Sequence, residues 1–182
     1  MEDWGPLDQS IIVGTDEGLI IVTTLQGQEL HRVEAHSDSI KSVSFNQDRS
    51  VMLTVGRDKL ALLWNTTTME LIGKYLMDRP LNACALNPLM DAENPDERYY
   101  HCILAGGQDA SEVTTSASAQ GSFETIILNL VTKEEIGRIT AHYSPTTCLT
   151  YLRDGKSFVT GTYEGNCKII ALPDAFFAAE GA

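Results

Sequence analysis

The chain has 182 residues, of which 43% are hydrophobic and 21% charged, a composition typical of a folded globular protein. Its 25 acidic and 13 basic residues give a net charge of −12. This excess disfavours a surface that binds nucleic acid or anionic lipid, because both need clustered cations. No apolar run reaches the roughly 18 residues that cross a bilayer, and no signal-peptide pattern opens the sequence. We therefore expect a cytoplasmic protein without a membrane partner or a direct nucleic-acid partner.

Short runs rich in Val, Ile, Leu and Thr follow one another along the chain, separated by Gly, Asp and Asn. Runs of this length and composition predict β-strands rather than helices. In chain order, the predicted strands are residues 10–14, 19–25, 29–34, 40–45, 51–55, 60–64, 70–76, 81–86, 99–105, 123–130, 135–140, 147–152, 157–162 and 168–172. Only the tail, residues 174–182, has a helix-like composition.

Two sequence markers repeat with the same spacing. A turn containing Gly and an acidic residue joins two strand runs at Gly14 and again at Gly56, 42 residues later. A second marker lies between these turns. It begins at His36 and again at Asp78, which is also 42 residues later, and it appears a third time at His142. A period of about 40–45 residues with four strands per repeat is typical of a WD-repeat β-propeller.

The repeats predict an all-β fold, a WD-repeat propeller of about three and a half to four blades. The blades are expected at about residues 1–36, 37–77, 78–141 and 142–173, with a tail at 174–182. The third repeat exceeds the period by 22 residues, because residues 88–98 and 108–122 lengthen two of its loops. Such loops carry partner-specific features or act as spacers, and the sequence leaves both alternatives open.

In a WD repeat, a His before the first strand, an Asp in a turn and a Trp on the third strand form a hydrogen-bonded set. The sequence predicts this structural role for His36, Asp58, Trp64 and His142. Gly56 stands where a Ser or Thr often bridges the set, so we expect an incomplete network in the second repeat. The other repeats are degenerate: the last has Glu164 in the turn and Ile169 or Ile170 for Trp, and the third has Asp109 and Ile127.

Sequence patterns of catalysis are absent: there is no phosphate-binding glycine loop, no nucleophile elbow and no histidine pair with metal-ligand spacing. Four widely spaced cysteines are predicted to be buried reduced thiols: Cys84, Cys102, Cys148 and Cys167. An acidic cluster resembles a weak cation site, but its spacing fits no calcium loop and favours a solvated loop: Asp91, Glu93, Asp96 and Glu97. We predict a protein that is not an enzyme and has no cofactor and no metal.

Several motifs are more specific than general WD-repeat sequence. They are WGPL at residues 4–7, DRPLN at 78–82, GGQDA at 106–110 with VTT at 113–115, GSFE at 121–124, EEIGR at 134–138 and DGKSF at 154–158. In this order, and over residues 4–177, the chain resembles the i subunit of eukaryotic translation initiation factor three. The resemblance implies the carboxy-terminal half of a seven-bladed propeller.

The resemblance also implies a function. It implies a non-catalytic scaffold that binds the b and g subunits of the factor. The b subunit is expected to bind largely through a helix laid across neighbouring blades. Through these partners the i subunit supports mRNA recruitment and scanning on the small ribosomal subunit. The acidic excess suits a basic helix. The candidate partner-binding residues are Asp78, Arg79 and Asp58, the first on a loop between blades. The alternatives are a general WD-repeat adaptor, in signalling or as a ubiquitin-ligase substrate receptor, and, third, a propeller hydrolase.

Two departures from the full family pattern affect the expected fold. The chain is expected to open inside a blade, with the first strand of that blade missing before Met1. It is expected to end after the third strand of its last blade. Open strand edges favour pairing, so we expect the isolated chain to self-associate, with two half-rings closing into one.

Overall fold

The computed structural model describes residues 1–107, 123–173 and 176–177. Fifteen strands form within these ranges: β1 Glu2–Trp4, β2 Ser10–Gly14, β3 Leu19–Thr24, β4 Glu29–Glu34, β5 Ile40–Phe45, β6 Val51–Gly56, β7 Leu60–Asn65, β8 Leu71–Leu76, β9 Leu81–Leu86, β10 His101–Gly106, β11 Thr125–Asn129, β12 Glu135–Ile139, β13 Thr146–Tyr151, β14 Ser157–Thr162 and β15 Cys167–Ala171. Three single-turn 3-10 helices occupy loops, at Pro6–Asp8, Pro88–Asp91 and Pro95–Glu97.

The strands form four antiparallel sheets in which sequence neighbours pair. Blade 1 has the order β1-β2-β3-β4, blade 2 β5-β6-β7-β8 and blade 3 β9-β10-β11-β12, while blade 4 contains β13-β14-β15 in the described part of the chain. The first strands of neighbouring blades lie side by side. β9, the first strand of blade 3, contacts both β5 of blade 2 and β13 of blade 4. This arrangement confirms the predicted all-β propeller fold.

The hydrophobic core lies between the blades. Because side chains alternate along a strand, each blade has two faces. In blade 2, Leu53, Val55 and Leu63 pack toward blade 3, whereas Met52 and Trp64 pack toward blade 1. Blade 3 packs against blade 4 with the same polarity. We call the side of a blade that faces the next blade its forward face, and the side that faces the preceding blade its rear face.

The expectation that the first blade lacks its first strand is wrong. Residues Glu2–Trp4 form β1, which pairs antiparallel with β2 so that Glu2 lies opposite Val13 and Trp4 opposite Ile11. The strand was missed because Glu-Asp-Trp is three residues long and mostly polar, and only its pairing with β2 identifies it. The third strand, β15, is the last described in blade 4.

The prediction of four buried cysteines holds for two of them. Cys84 and Cys102 are buried, and burial raises the pKa of the Cys84 thiol to about 12. Cys148 and Cys167 are exposed, because they lie on strands of blade 4 that no following blade covers within the described residues. The predictions for Asp109, for the 108–122 loop and for most of the 174–182 tail concern residues outside the described ranges.

Candidate protein-interaction site

Five charged side chains cluster where the loop between β8 and β9 meets β12. Arg79 donates from Nε and Nη2 to the two carboxylate oxygens of Asp78, each at 2.8 Å. Arg138 donates to Asp78 at 2.9 Å and to both oxygens of Glu135, at 2.6 and 2.8 Å. Glu124 lies 3.6 Å from Arg79 and 3.4 Å from Arg138. The structure therefore brings the predicted pair Asp78 and Arg79 together and adds three residues to it.

The guanidiniums of this cluster fix the charge of Asp78. Its hydrogen bonds to Arg79 and then Arg138 hold the pKa of the Asp78 carboxyl well below its usual range. The Asp78 side chain is 48% exposed and the Arg79 side chain only 14%. The carboxylate therefore faces solvent, and the largely buried guanidinium of Arg79 holds it in place. Three carboxylates against two guanidiniums leave one formal negative charge. The surface can therefore accept a hydrogen bond from a basic side chain.

A second, buried network joins the loops of blade 2 to its strands. His36 Nδ1 lies 2.9 Å from Asp58 Oδ1, and His36 Nε2 lies 2.9 Å from Thr54 Oγ1. Trp64 Nε1 donates to the same Thr54 oxygen at 3.0 Å. Asp58 also accepts from the backbone N–H of Ser37 at 3.1 Å. The Asp58 carboxylate accepts from the His36 Nδ1–H, and the Thr54 hydroxyl joins the imidazole of His36 to the indole of Trp64.

Blade 4 retains part of this network. His142 Nε2 lies 2.7 Å from Thr160 Oγ1, and the two residues are 18 positions apart, as are His36 and Thr54. Ile170 lies opposite Phe158, the strand position that Trp64 takes in blade 2 opposite Met52. Glu164 is exposed. Blade 4 therefore keeps the His–Thr hydrogen bond and replaces the tryptophan by an isoleucine.

Comparison with known proteins agrees with this geometry. Residues 27–65 and 133–170 match the family model described as "WD domain, G-beta repeat". The chain therefore contains WD40 repeats. A solved structure titled "Structure of U3-55K" superposes with a TM-score of 0.71 over 95% of this chain and 48% of that chain, and at 13% identity this likeness shows the fold alone.

Curated relatives of this chain carry the name eukaryotic translation initiation factor 3 subunit I. The protein of Bombyx mori is 35% identical over 175 residues, which are 96% of this chain and 50% of the relative. Those of Drosophila simulans and Nematostella vectensis are each 33% identical, over 96% and 95% of this chain and 51% of each relative. The resemblance predicted from the sequence is confirmed. The chain spans about half the length of these relatives.

The expectation of an incomplete WD40 network in blade 2 is wrong, because Thr54 supplies the bridging hydroxyl. A Cβ at Gly56 would lie 2.9 Å from His36 Nδ1 and 3.0 Å from Asp58 Oδ1. The glycine therefore makes room for the His–Asp pair. The Asp58 side chain is only 3% exposed. That burial favours the structural role of Asp58, and its contact with a partner stays a prediction.

The strand register also corrects the Trp-equivalent positions of the degenerate WD40 repeats. In blade 2, Trp64 lies opposite Met52. The corresponding pair in blade 3 is Leu128 opposite Cys102, so Leu128 rather than the predicted Ile127 takes this position. In blade 4 the position belongs to Ile170.

Sequence reasoning missed Arg138 and Glu124 in the charged cluster and Asp91 as a structural acid. Arg138 lies three residues after Glu135, a visible local pair, but its partner Asp78 is 60 residues away. Asp91, predicted to lie in a solvated loop, accepts from Asn46 Nδ2 at 3.0 Å. Within the described ranges, no group of three or more His, Cys, Asp or Glu could hold a metal ion, and no helix is long and apolar enough to cross a membrane.

Proposed function

We propose that this chain is a non-catalytic scaffold of the eukaryotic translation initiation factor 3 complex and acts in the cytoplasm. The observation that carries the proposal is its similarity to subunit I of that factor, at 35% identity over 96% of the chain for the Bombyx mori protein. Its partners are the b and g subunits. Through them it contributes to mRNA recruitment and scanning on the small ribosomal subunit, with no direct contact to nucleic acid.

Charge supports a basic segment of the b subunit as the bound element. The net charge of −12 attracts a cationic partner and repels phosphate backbones. Asp78 is an ionised, half-exposed acid on a loop between two blades, a place that an element laid across both blades could reach. Arg79 holds the carboxylate in place, so its contribution to binding is to position Asp78. Asp58 is held in the buried network of blade 2, which favours its structural role.

The direct test is a titration of the chain with a recombinant carboxy-terminal segment of the b subunit. Asp78→Asn removes the charge and keeps the shape, and we expect it to weaken binding roughly tenfold, corresponding to about 1.4 kcal/mol. The matched control is Asp16→Asn, because the Asp16 side chain is 91% exposed and lies far from the cluster in sequence. Circular dichroism verifies that both variants fold.

Two results would contradict the assignment. Equal affinities for Asp78→Asn and Asp16→Asn would remove Asp78 from the interface while leaving the scaffold role intact. No binding of the b or g segments by the parent chain would instead favour the general WD-repeat adaptor.

The same titration at higher ionic strength should weaken binding, since exposed charge pairs are screened by salt.

A further inference from the structure

The outer strand of a blade is an edge, because it pairs with a neighbour on one side only. β4, β8 and β12 are the outer strands of blades 1, 2 and 3. An exposed edge is a template for a further strand, and proteins commonly protect it with charged side chains. Blade 2 lies between blades 1 and 3, so the edge of β8 would stay at the outer rim if further blades extended the series at either end.

Two of these three edges are protected by charge. β4 and β12 each have one large exposed hydrophobic side chain, Leu30 and Ile136. Each strand also carries an ion pair between residues three apart, Glu29 with Arg32 on β4 and Glu135 with Arg138 on β12. These charges disfavour the addition of an apolar strand.

The edge of β8 is different, because apolar side chains dominate it. Leu71, Ile72 and Leu76 are 48%, 54% and 72% exposed, and Lys74 is the one charged residue of the strand. Leu71, Lys74 and Leu76 lie opposite Trp64, Leu62 and Leu60 of β7, which pack toward blade 1. The three β8 residues therefore share the rear face of blade 2, with the lysine between two leucines.

Charge indicates what covers this edge. Lys74 and the exposed Lys59 make no ion pair in the described part of the chain, although the net charge of the whole sequence is −12. Lys59 lies at the end of β8, because its carbonyl accepts from the backbone N–H of Met77 at 2.8 Å. A second copy fits poorly, since antiparallel pairing centred on Lys74 sets the two lysines opposite each other. An acidic side chain complements this position.

We propose that the edge of β8 binds an extended segment of a partner protein as an added strand. In that segment, an acidic residue has an apolar residue two positions away on each side. Its backbone pairs with β8, its apolar side chains cover Leu71 and Leu76, and its carboxylate pairs with Lys74. This proposal is independent of the proposed function, in which the bound segment is basic.

A fluorescence anisotropy titration of the 182-residue chain tests the proposal. The probe is a labelled synthetic peptide with a central glutamate, flanked on each side by a threonine and then an isoleucine. We expect saturable binding with a Kd below about 1 mM, and Lys74→Glu should weaken it roughly tenfold. Leu76→Thr should also weaken it, since it removes apolar contact and keeps a residue that favours strands. The control Lys133→Glu changes an exposed lysine in a blade 3 turn and should bind as the parent does.

A peptide of reversed charge separates recognition at Lys74 from a loss of fold. With lysine in place of its glutamate, the peptide should bind Lys74→Glu more tightly than the parent chain. Hydrogen exchange measured by NMR should show the glutamate peptide protecting amides of β8 and leaving those of β4 and β12 unchanged. No binding by the parent, equal affinities for Lys74→Glu and Lys133→Glu, no reversal, or protection at another edge would each overturn the proposal. A dimer of the parent that Leu76→Thr abolishes would also overturn it, because a second copy would then cover the edge.

Discussion

At the residue scale, Thr54 is the point where the buried rings of blade 2 are joined. Its Oγ1 lies 2.9 Å from His36 Nε2 and accepts from Trp64 Nε1 at 3.0 Å. All three side chains are buried, so without this oxygen both rings would hold unsatisfied polar nitrogens. Leaving a buried donor or acceptor unpaired costs more than the net gain of an ordinary hydrogen bond.

Replacing Thr54 by valine should therefore destabilise the chain more than the same change at Thr160. Thr54→Val leaves two ring nitrogens unpaired and should lower the free energy of unfolding by about 2–4 kcal/mol. Thr160→Val leaves only His142 Nε2 unpaired and should cost about half as much. Urea denaturation of both variants measures the difference. Equal losses would show that the Trp64 hydrogen bond contributes nothing to stability.

His142 should make the stability of the chain depend on pH. Burial, followed by the nearby Lys168, lowers the pKa of this histidine below its ordinary value near 6.5. The folded state then binds fewer protons than the unfolded state, so the contribution is complete above pH 6.5 and is lost as the pH falls toward the folded-state pKa. We expect the free energy of unfolding to fall as the pH drops from about 6.5 toward the lower folded-state pKa of His142.

The variant His142→Asn isolates this contribution. Its free energy of unfolding should change less over the same pH range, even if the variant is less stable overall. The acids with lowered pKa values titrate below this window and leave the comparison unaffected: Glu29, Asp48, Asp78 and Asp154. An unchanged slope in His142→Asn would contradict the assignment.

Some residues of the buried network and the charged cluster could be predicted from the sequence, and others could not. His36, Asp58 and Trp64 could be predicted because each stands at a fixed place within the 42-residue period. Thr54 was missed because threonine is common on strands, and only the register shows which hydroxyl points at the rings. Arg138 was missed because its contact with Asp78 spans 60 residues.

At the scale of elements, the 88–98 segment connects two blades. Pro88–Asp91 forms a 3-10 turn after β9, and the Asp91 carboxylate accepts from Asn46 Nδ2 at 3.0 Å and from the backbone N–H of Gln47 at 2.9 Å. This acid therefore ties a loop of blade 3 to the turn that follows β5 in blade 2. The sequence showed the extra length of the loop but not where it docks.

Removing the Asp91 carboxylate should loosen this contact locally. In Asp91→Ala, the Gln47 amide loses its acceptor and should exchange its proton roughly fivefold faster, corresponding to about 1 kcal/mol. Hydrogen exchange measured by NMR follows this single amide. Glu93→Ala is the control, because Glu93 is an exposed acid of the same loop and should leave the Gln47 rate unchanged. Equal rates in the two variants would contradict the docking contact.

The strands themselves were largely predictable, with one informative exception. Fourteen runs of β-branched and aliphatic residues mark β2 to β15, with shifts of a few residues at their ends. β1 carries no such run and becomes a strand because its backbone pairs with β2. Local composition identifies strands that build the core, whereas a short edge strand is fixed by its neighbour.

At the scale of the whole molecule, stability and recognition use different surfaces. The core lies between the blades and is apolar, while the acidic excess lies on loops and outer strands where it can attract a basic partner. The fold class and the family likeness were predictable because both depend on repeated motifs. The assignment of each side chain to the forward or rear face of its blade was not, since it depends on which face each strand turns toward its neighbour.

The central claim, a scaffold role in translation initiation, is tested most directly by affinity purification of the tagged chain from eukaryotic cells, quantified by mass spectrometry. The account predicts that the b and g subunits are enriched over a tag-only control and that Asp78→Asn recovers less of the b subunit than Asp16→Asn does. Recovery of neither subunit, with the tagged chain folded and soluble, would contradict the claim.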